Sequence, residues 1–190
     1  MNYGDVTFNG DATYSTGNHK KLSMRPTLIA GNLRTNKPAS VTVGCHAGYL
    51  MPIYSSDYEL FFREYIAGRW DGTSNIIVSV ICALNAAEDV GDHFKLQLSW
   101  ENASTTGIIS TSTTDVPVET TVATSRNSQY SVYKVQFTVA YATPNPDVTA
   151  GDHIAFRLRR LDATDPDITG DIIILDIIIT YDVDKVFKST

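Results

Sequence analysis

Two copies of the tripeptide Gly-Asp-His are the pattern in this sequence that most suggests chemistry. They open the stretches GDHFKLQL at Gly91 and GDHIAFRL at Gly151. An aspartate beside a histidine can bind a metal ion or orient an imidazole for catalysis. The segments GDVTF, GDATY and GDIIIL share Gly-Asp without histidine, however. Because glycine accepts a positive φ and aspartate bonds nearby amides, we interpret the repeat as a turn that starts strands. A ligand role for His93 and His153 is the alternative.

Other catalytic and metal-binding patterns are missing from the sequence. There is no GxSxG motif, and the four histidines stand singly, without HxH or HExxH spacing. We therefore predict a protein that is not an enzyme and has no cofactor and no metal. Two alternatives stay open: two carboxylates that meet across a groove, as in glycan-cleaving enzymes, and a calcium ion bound by the aspartates between Asp162 and Asp171.

The loop AGRWDGTS lies between two strongly predicted strands. It contains Arg69, Trp70 and Asp71. An exposed indole gives a large contact area at a small entropic cost, so this loop is a candidate platform for a sugar ring or a partner protein. Alternatively, Trp70 folds back and closes one end of the domain.

Composition limits the classes of protein and partner. The chain has 190 residues, 43% of them hydrophobic, which suits one globular domain. Its net charge of -6 argues against direct binding to nucleic acid. No apolar run is long enough for a membrane span, so we expect no membrane contact. Cys45 and Cys82 lie in apolar alternating runs and are expected to be buried free thiols.

Alternation with a period of two dominates the chain and predicts an all-β protein. We expect a two-sheet antiparallel β-sandwich, with a jelly roll preferred over an immunoglobulin-like topology. Residues 1–35 are assigned to an extended N-terminal arm and residues 36–190 to the sandwich. The predicted strands are 4–8, 27–30, 40–46, 57–66, 75–84, 93–102, 107–113, 117–124, 130–141, 153–161 and 171–182.

Several strands have apolar residues on both faces. In the last strand, strict alternation places Ile173, Leu175, Ile177, Ile179 and Tyr181 on the core face. An outward row of isoleucines needs a cover, because the outer face of a two-layer sandwich meets water. We predict a partner interface there, with self-coverage by the arm as the alternative. The predicted interface residues are Ile172, Ile174, Ile178, Ile77 and Ile81.

Residues 58–183 resemble a known class of proteins. The order YELFFREYIAGRWDGTSNIIVSVICAL, then GDHFKLQLSWENA, then GDHIAFRLRRLDATDPDITGDIIILDIIITYDV is similar to β-sandwich structural proteins of tailed bacteriophages. The resemblance implies a virion surface protein, assembled in the host cytoplasm, that decorates or cements a phage head. It implies a homo-oligomer, such as a trimer, that contacts the major capsid protein or other virion proteins.

Two other functions remain open. One is a tail or fibre protein that binds a receptor, although no trimerising coiled coil is visible. The other is a carbohydrate-binding β-sandwich module, in which aromatic side chains would stack on sugar rings. The candidate rings for the second function are Trp70, Tyr54, Tyr58 and Tyr65.

Overall fold

The computed structural model describes residues 20–30, 38–52, 58–66, 70–103, 113–141 and 148–183. All regular secondary structure in these ranges is β, and no helix in them is suited to crossing a membrane. The predicted strand at 4–8 and nearly all of 107–113 lie outside the described residues. The strands are β1 (Lys20–Met24), β2 (Ile29–Ala30), β3 (Ser40–Val43), β4 (His46–Met51), β5 (Glu59–Tyr65), β6 (Ile76–Leu84), β7 (His93–Ala103), β8 (Thr114–Thr121), β9 (Val132–Val139), β10 (His153–Leu161) and β11 (Ile172–Val183).

The strands form two antiparallel sheets. Sheet A has the order β3-β4-β11-β6-β9, with β1 also paired to β11, and sheet B has the order β2-β5-β10-β7-β8. From β4 onward the pairs are nested: β4 with β11, β5 with β10, β6 with β9, and β7 with β8. This nesting is the jelly-roll topology, so the predicted all-β sandwich of jelly-roll type is confirmed.

Two short strands come from the segment assigned to the N-terminal arm. Strand β1 pairs with the end of β11, with Lys20 opposite Val183. Strand β2 pairs with β5 in the other sheet, with Ile29 opposite Phe61. The four residues between β1 and β2 therefore pass from one sheet to the other.

Alternate residues of facing strands fill the space between the sheets. On β6 and β7 the core positions are those that alternation predicts, and aromatic rings extend the same core in sheet B. Phe62 and Phe156 stack there with ring centroids 4.8 Å apart. Burying each such side chain contributes about 1.5–3 kcal/mol. The core positions of β6 and β7 are Ile76, Val78, Val80, Cys82, Leu84, Phe94, Leu96, Leu98 and Trp100.

A β-bulge in β11 changes which isoleucines face the core. The pairing of β11 with β6 shifts between Ile174 and Asp176. One extra residue on a strand moves all later side chains to the opposite face. Consequently the core face of β11 combines Ile172 and Ile174 before the bulge with residues 177, 179 and 181 after it.

The prediction that Ile172 and Ile174 face outward is therefore wrong. Both side chains are 0% exposed and belong to the core, so a partner cannot contact them. Strict alternation fails here because it cannot be continued through a bulge. Ile178, Ile77 and Ile81 are half-buried and lie on the outer face of sheet A, as predicted. Their contact with a partner stays a prediction.

Ile173, which precedes the bulge, lies on the face of β11 opposite to Ile172 and Ile174. It was predicted to be a core residue, and it is fully buried, but it lies outside the core cluster. Its methyl group approaches β4, where a Cβ at Gly48 would be 2.9 Å away. Gly48 is therefore needed for the close packing of β4 on β11.

A buried arginine anchors the loop between β10 and β11. Arg160 is 1% exposed, and its guanidinium donates to the carbonyl of Gly170 at 2.8 Å and to the carboxylate of Asp167 at 3.3 Å. Burial lowers the pKa of Arg160, while the nearby carboxylates, Asp167 first among them, oppose that effect. The ion pair thus holds the loop against the end of the sandwich.

We expect Arg160→Leu to lower the free energy of unfolding by about 3–5 kcal/mol, because Asp167 would stay buried without its partner. The matched control is Arg159→Leu. Its side chain is 23% exposed on the outer face of sheet B, so the loss should be about 1 kcal/mol or less. Urea unfolding of both variants measures the difference, and equal losses would contradict this account.

Candidate functional site

The two Gly-Asp-His repeats are turns that start strands, as interpreted from the sequence. Gly91 and Gly151 have φ of +99° and +95°. In each turn the aspartate accepts the amide three residues earlier: Asp92 from Asp89 at 3.1 Å, and Asp152 from Thr149 at 2.8 Å. The repeats at residues 4 and 10 lie outside the described residues.

The third described repeat, Gly170-Asp171, uses its glycine differently. A Cβ at Gly170 would lie 2.6 Å from Oε1 of Glu88. This carboxylate is 6% exposed and accepts the amide of Gly170 at 2.7 Å and the amide of Thr169 at 2.8 Å. The glycine therefore permits a close approach of two loops.

The two repeated histidines do not form a joint site. Strands β7 and β10 are antiparallel, with His153 opposite Ala103, so His93 starts at the other end of sheet B, about 30 Å away. His93 Nδ1 lies 3.2 Å from the hydroxyl of Thr121, and the ring of His153 lies 5.1 Å from that of Tyr65. Within the described ranges, no three His, Cys, Asp or Glu side chains are grouped for a metal ion.

The aspartate-rich loop uses its buried carboxylate for internal contacts. Asp167 accepts a hydrogen bond from Arg160 and another from the amide of Ala163 at 3.3 Å. A carboxylate already paired with a guanidinium is a poor starting point for a calcium site. We therefore do not place calcium in this loop.

Trp70 does not form an exposed platform. Its side chain is 4% exposed, packs edge-on against Tyr141, and donates its indole N–H to Ser74 at 3.1 Å. Asp71 accepts the amides of Thr73 and Ser74, so it shapes the turn. The prediction of a ligand loop is wrong for Trp70, because this indole closes one end of the sandwich. Arg69 and Tyr54 lie outside the described residues.

The two cysteines differ in exposure to solvent. Burial raises the pKa of Cys82 to about 12, so its thiol stays protonated at neutral pH. Cys45 is exposed in the turn between β3 and β4, next to Gly44 with a φ of +60°. The expectation of a buried Cys45 is wrong because a hairpin turn interrupts the apolar run.

A pocket that the sequence did not reveal lies on the outer face of sheet B. Its volume is about 220 Å³. It lies over Ala155, whose methyl group leaves space on the central strand β10. The side chains that line it on this face are those of Phe61, Ser99, Glu101, Thr113, Ala155 and Arg157.

The strand register brings these residues together. One row across the sheet places Phe61, Arg157 and Ser99 side by side on β5, β10 and β7. The next row on the same face places Ala155 between Arg63 and Glu101. An aromatic ring, a guanidinium group, a carboxylate and a hydroxyl therefore surround one small residue.

Arg157 is held in place by two neighbours. Its guanidinium donates to Glu59 at 3.4 Å and to the hydroxyl of Ser99 at 3.2 Å. Ser99 is 1% exposed and Glu59 is 7% exposed, so both contacts are shielded from water. The pocket thus has a preorganised cation beside the half-buried ring of Phe61.

Sequence reasoning missed this pocket for a definite reason. Most of its residues lie in the segments YELFFREY, HFKLQLSWENA and HIAFRLRRL, and Phe61 is an aromatic side chain at an outward position among polar ones. That irregularity was the available signal. The register of β5, β10 and β7 brings the residues together, and it cannot be predicted from any single segment.

Comparisons with known proteins give no assignment. No family model and no curated protein matches the chain. A GH115 4-O-methyl-α-glucuronidase has 13% identity and a TM-score of 0.38, over 78% of this chain and 16% of its own. The carbohydrate-binding module CBM28, specific for non-crystalline cellulose, has 10% identity and a TM-score of 0.38, over 77% and 78%. Tailspike protein 4 of bacteriophage CBA120 has 11% identity and a TM-score of 0.33, over 86% and 19%. TM-scores below 0.5 do not establish a family or a function for this chain.

We expect the turn at Asp152 to make stability depend on pH. Burial raises the pKa of Asp152, but hydrogen bonds from Asn102 and Thr149 outweigh that effect and leave the pKa below its usual 3.8. Asp152→Ala should cost about 1.5–3 kcal/mol at neutral pH. Because the folded pKa is depressed, this difference should shrink as the pH falls below about 4.

Thermal unfolding of wild type and variant between pH 7 and pH 3 measures that difference. Asp92→Ala, in the matching turn, is the control. Its carboxylate accepts one hydrogen bond among the described residues, so its cost should be smaller. A cost for Asp152→Ala that does not change with pH would contradict the prediction.

Proposed function

We propose that this protein is a non-catalytic carbohydrate-binding β-sandwich, and that its sugar site is the pocket over Ala155. The observation that carries the proposal is the arrangement of Phe61, Arg157, Glu101 and Ser99 around that small residue. The volume of about 220 Å³ lies below the usual range of drug-sized pockets. It suits one ring of a longer chain that continues along the sheet.

The chemistry of the pocket fits a polyhydroxylated ligand. A sugar hydroxyl both donates and accepts, so it can use the guanidinium of Arg157 as donor and the carboxylate of Glu101 as acceptor. The apolar C–H face of a pyranose can lie against the ring of Phe61. A purely anionic ligand would be repelled by Glu101, and a purely apolar one would leave both charges unpaired.

The same residues favour binding over cleavage. Glycosidases that act through carboxylates use two of them across the scissile bond. Among the described residues that line the pocket, Glu101 is the one carboxylate. The nearby Glu59 is buried and paired with Arg157, which leaves it poorly placed to act as an acid or base.

The test is a glycan array with purified protein, followed by calorimetric titration of a bound oligosaccharide. We expect Phe61→Ala to weaken binding about tenfold or more, as for truncation of an aromatic anchor. Val90→Ala is the control, since Val90 is 52% exposed in the turn before β7, far from the pocket. Its affinity should match wild type.

The proposal fails if no glycan binds, or if Phe61→Ala and Val90→Ala bind the same glycan equally well. Glu101→Gln tests the contribution of the carboxylate separately from that of the Phe61 ring. It keeps the shape of the side chain and removes its charge, so it should weaken binding without changing the melting temperature.

A virion structural protein is the second candidate. The observation that favours it is the set of half-buried isoleucines on the outer face of sheet A, at residues 77, 81 and 178. Apolar side chains on an outer sheet face are typical of surfaces that contact another subunit. Under this function Ile77→Lys should change assembly, whereas Phe61→Ala should leave it intact. Glycan affinity distinguishes the candidates, because the first requires that wild type bind a glycan and that Phe61→Ala weaken that binding, whereas the second does not.

A further inference from the structure

A second concave surface lies on the outer face of sheet A, opposite the sugar pocket. We call it the sheet A groove. It has a volume of about 440 Å³, which is within the range of ligand and partner sites. It crosses the sheet from the β3–β4 hairpin to β9, and its apolar lining includes Val43, Ile81, Tyr130, Val132, Leu175 and Ile178.

Tyr130 is held at the edge of this groove in a strained conformation. Its φ is +65°, which is rare and strained for a bulky residue. Its amide donates to the carbonyl of Leu84 at 2.8 Å, and the amide of Leu84 donates to Ser131 at 3.1 Å. These bonds fix the strained turn, and Tyr130 remains 45% exposed.

Exposed apolar surface is concentrated at the same edge. Among the described residues, four large hydrophobic side chains are strongly exposed, and two of them, Tyr130 and Val132, line the groove. Val132 is 49% exposed. The surface therefore has an apolar depression and an apolar projection side by side.

The charges of the groove are also of both signs. Arg25 donates to Asp176 at 2.9 Å, and their side chains are 72% and 37% exposed. A partner with one sign of charge would meet repulsion from one of the two. A second copy of the same surface, turned by a twofold axis, presents Asp176 to Arg25 and Arg25 to Asp176.

We propose that the sheet A groove is the contact surface of a homodimer, in which Tyr130 and Val132 of each copy fill the groove of the other. The pairing is isologous, so each favourable contact occurs twice. It is independent of the proposed sugar binding. If both hold, the dimer exposes two sugar pockets on its opposite outer faces.

The experiment is sedimentation equilibrium of the full chain over the micromolar range. Wild type should show twice the mass of the single chain at the upper end. Val132→Lys places two lysines in the apolar contact, one from each copy, and should weaken dimerisation at least about thirtyfold. Because Val132 is half-exposed, the variant should keep the wild-type melting temperature when both proteins are measured at concentrations at which wild type is monomeric.

Val90→Lys is the matched control, since it adds the same charge at an equally exposed apolar residue outside the groove. It should dimerise like wild type. A wild-type monomer at all concentrations overturns the proposal, and so does a trimer. A dimer that Val132→Lys leaves intact would falsify the assignment of this surface. Glycan binding by a monomeric Val132→Lys protein would show that sugar binding stands on its own.

Discussion

The bulge between Ile174 and Asp176 is the constraint on which both faces of sheet A depend. It lies where β11 has stopped pairing with β4 and has not yet begun to pair with β1. The carboxylate of Asp176 accepts the amide of Ile177 at 2.9 Å, so the irregular backbone keeps a partner. Because of the additional residue, isoleucine side chains fill the core both before and after the bulge. The bulge also turns Leu175 and Asp176 toward the outer groove.

The two outer faces of the sandwich have opposite chemical characters. On sheet B, outward arginines are held by neighbours: Arg157 by Glu59 and Ser99, and Arg159 by Gln97 at 2.6 Å. On sheet A, isoleucine, leucine and valine side chains line the groove. A polar outer face with ordered side chains is suited to the recognition of hydroxyl groups, whereas an apolar outer face is suited to burial against another protein surface.

The fold could be predicted from the sequence wherever side chains alternate with a period of two. Alternation identified the core faces of β6 and β7 because those strands are regular. The all-β composition predicted a sandwich and favoured a jelly roll, but the nested strand pairing itself is visible only in the structure. Alternation failed at β11, where the bulge breaks the period, and at Cys45, where a turn does. The burial of Trp70 depends on a ring from Tyr141, which is distant in sequence. The pocket over Ala155 was hidden for the same reason, since three strands contribute most of its residues.

The pairing of β1 with the end of β11 has a mechanical consequence. Lys20 lies opposite Val183, so the described chain enters and leaves the sandwich at one corner. Tension applied through the two flanking segments would open this antiparallel pair one hydrogen bond at a time, from Lys20 toward Met24. Strand β1, which has five residues and lies at the periphery, would therefore detach before the force reached the core strands.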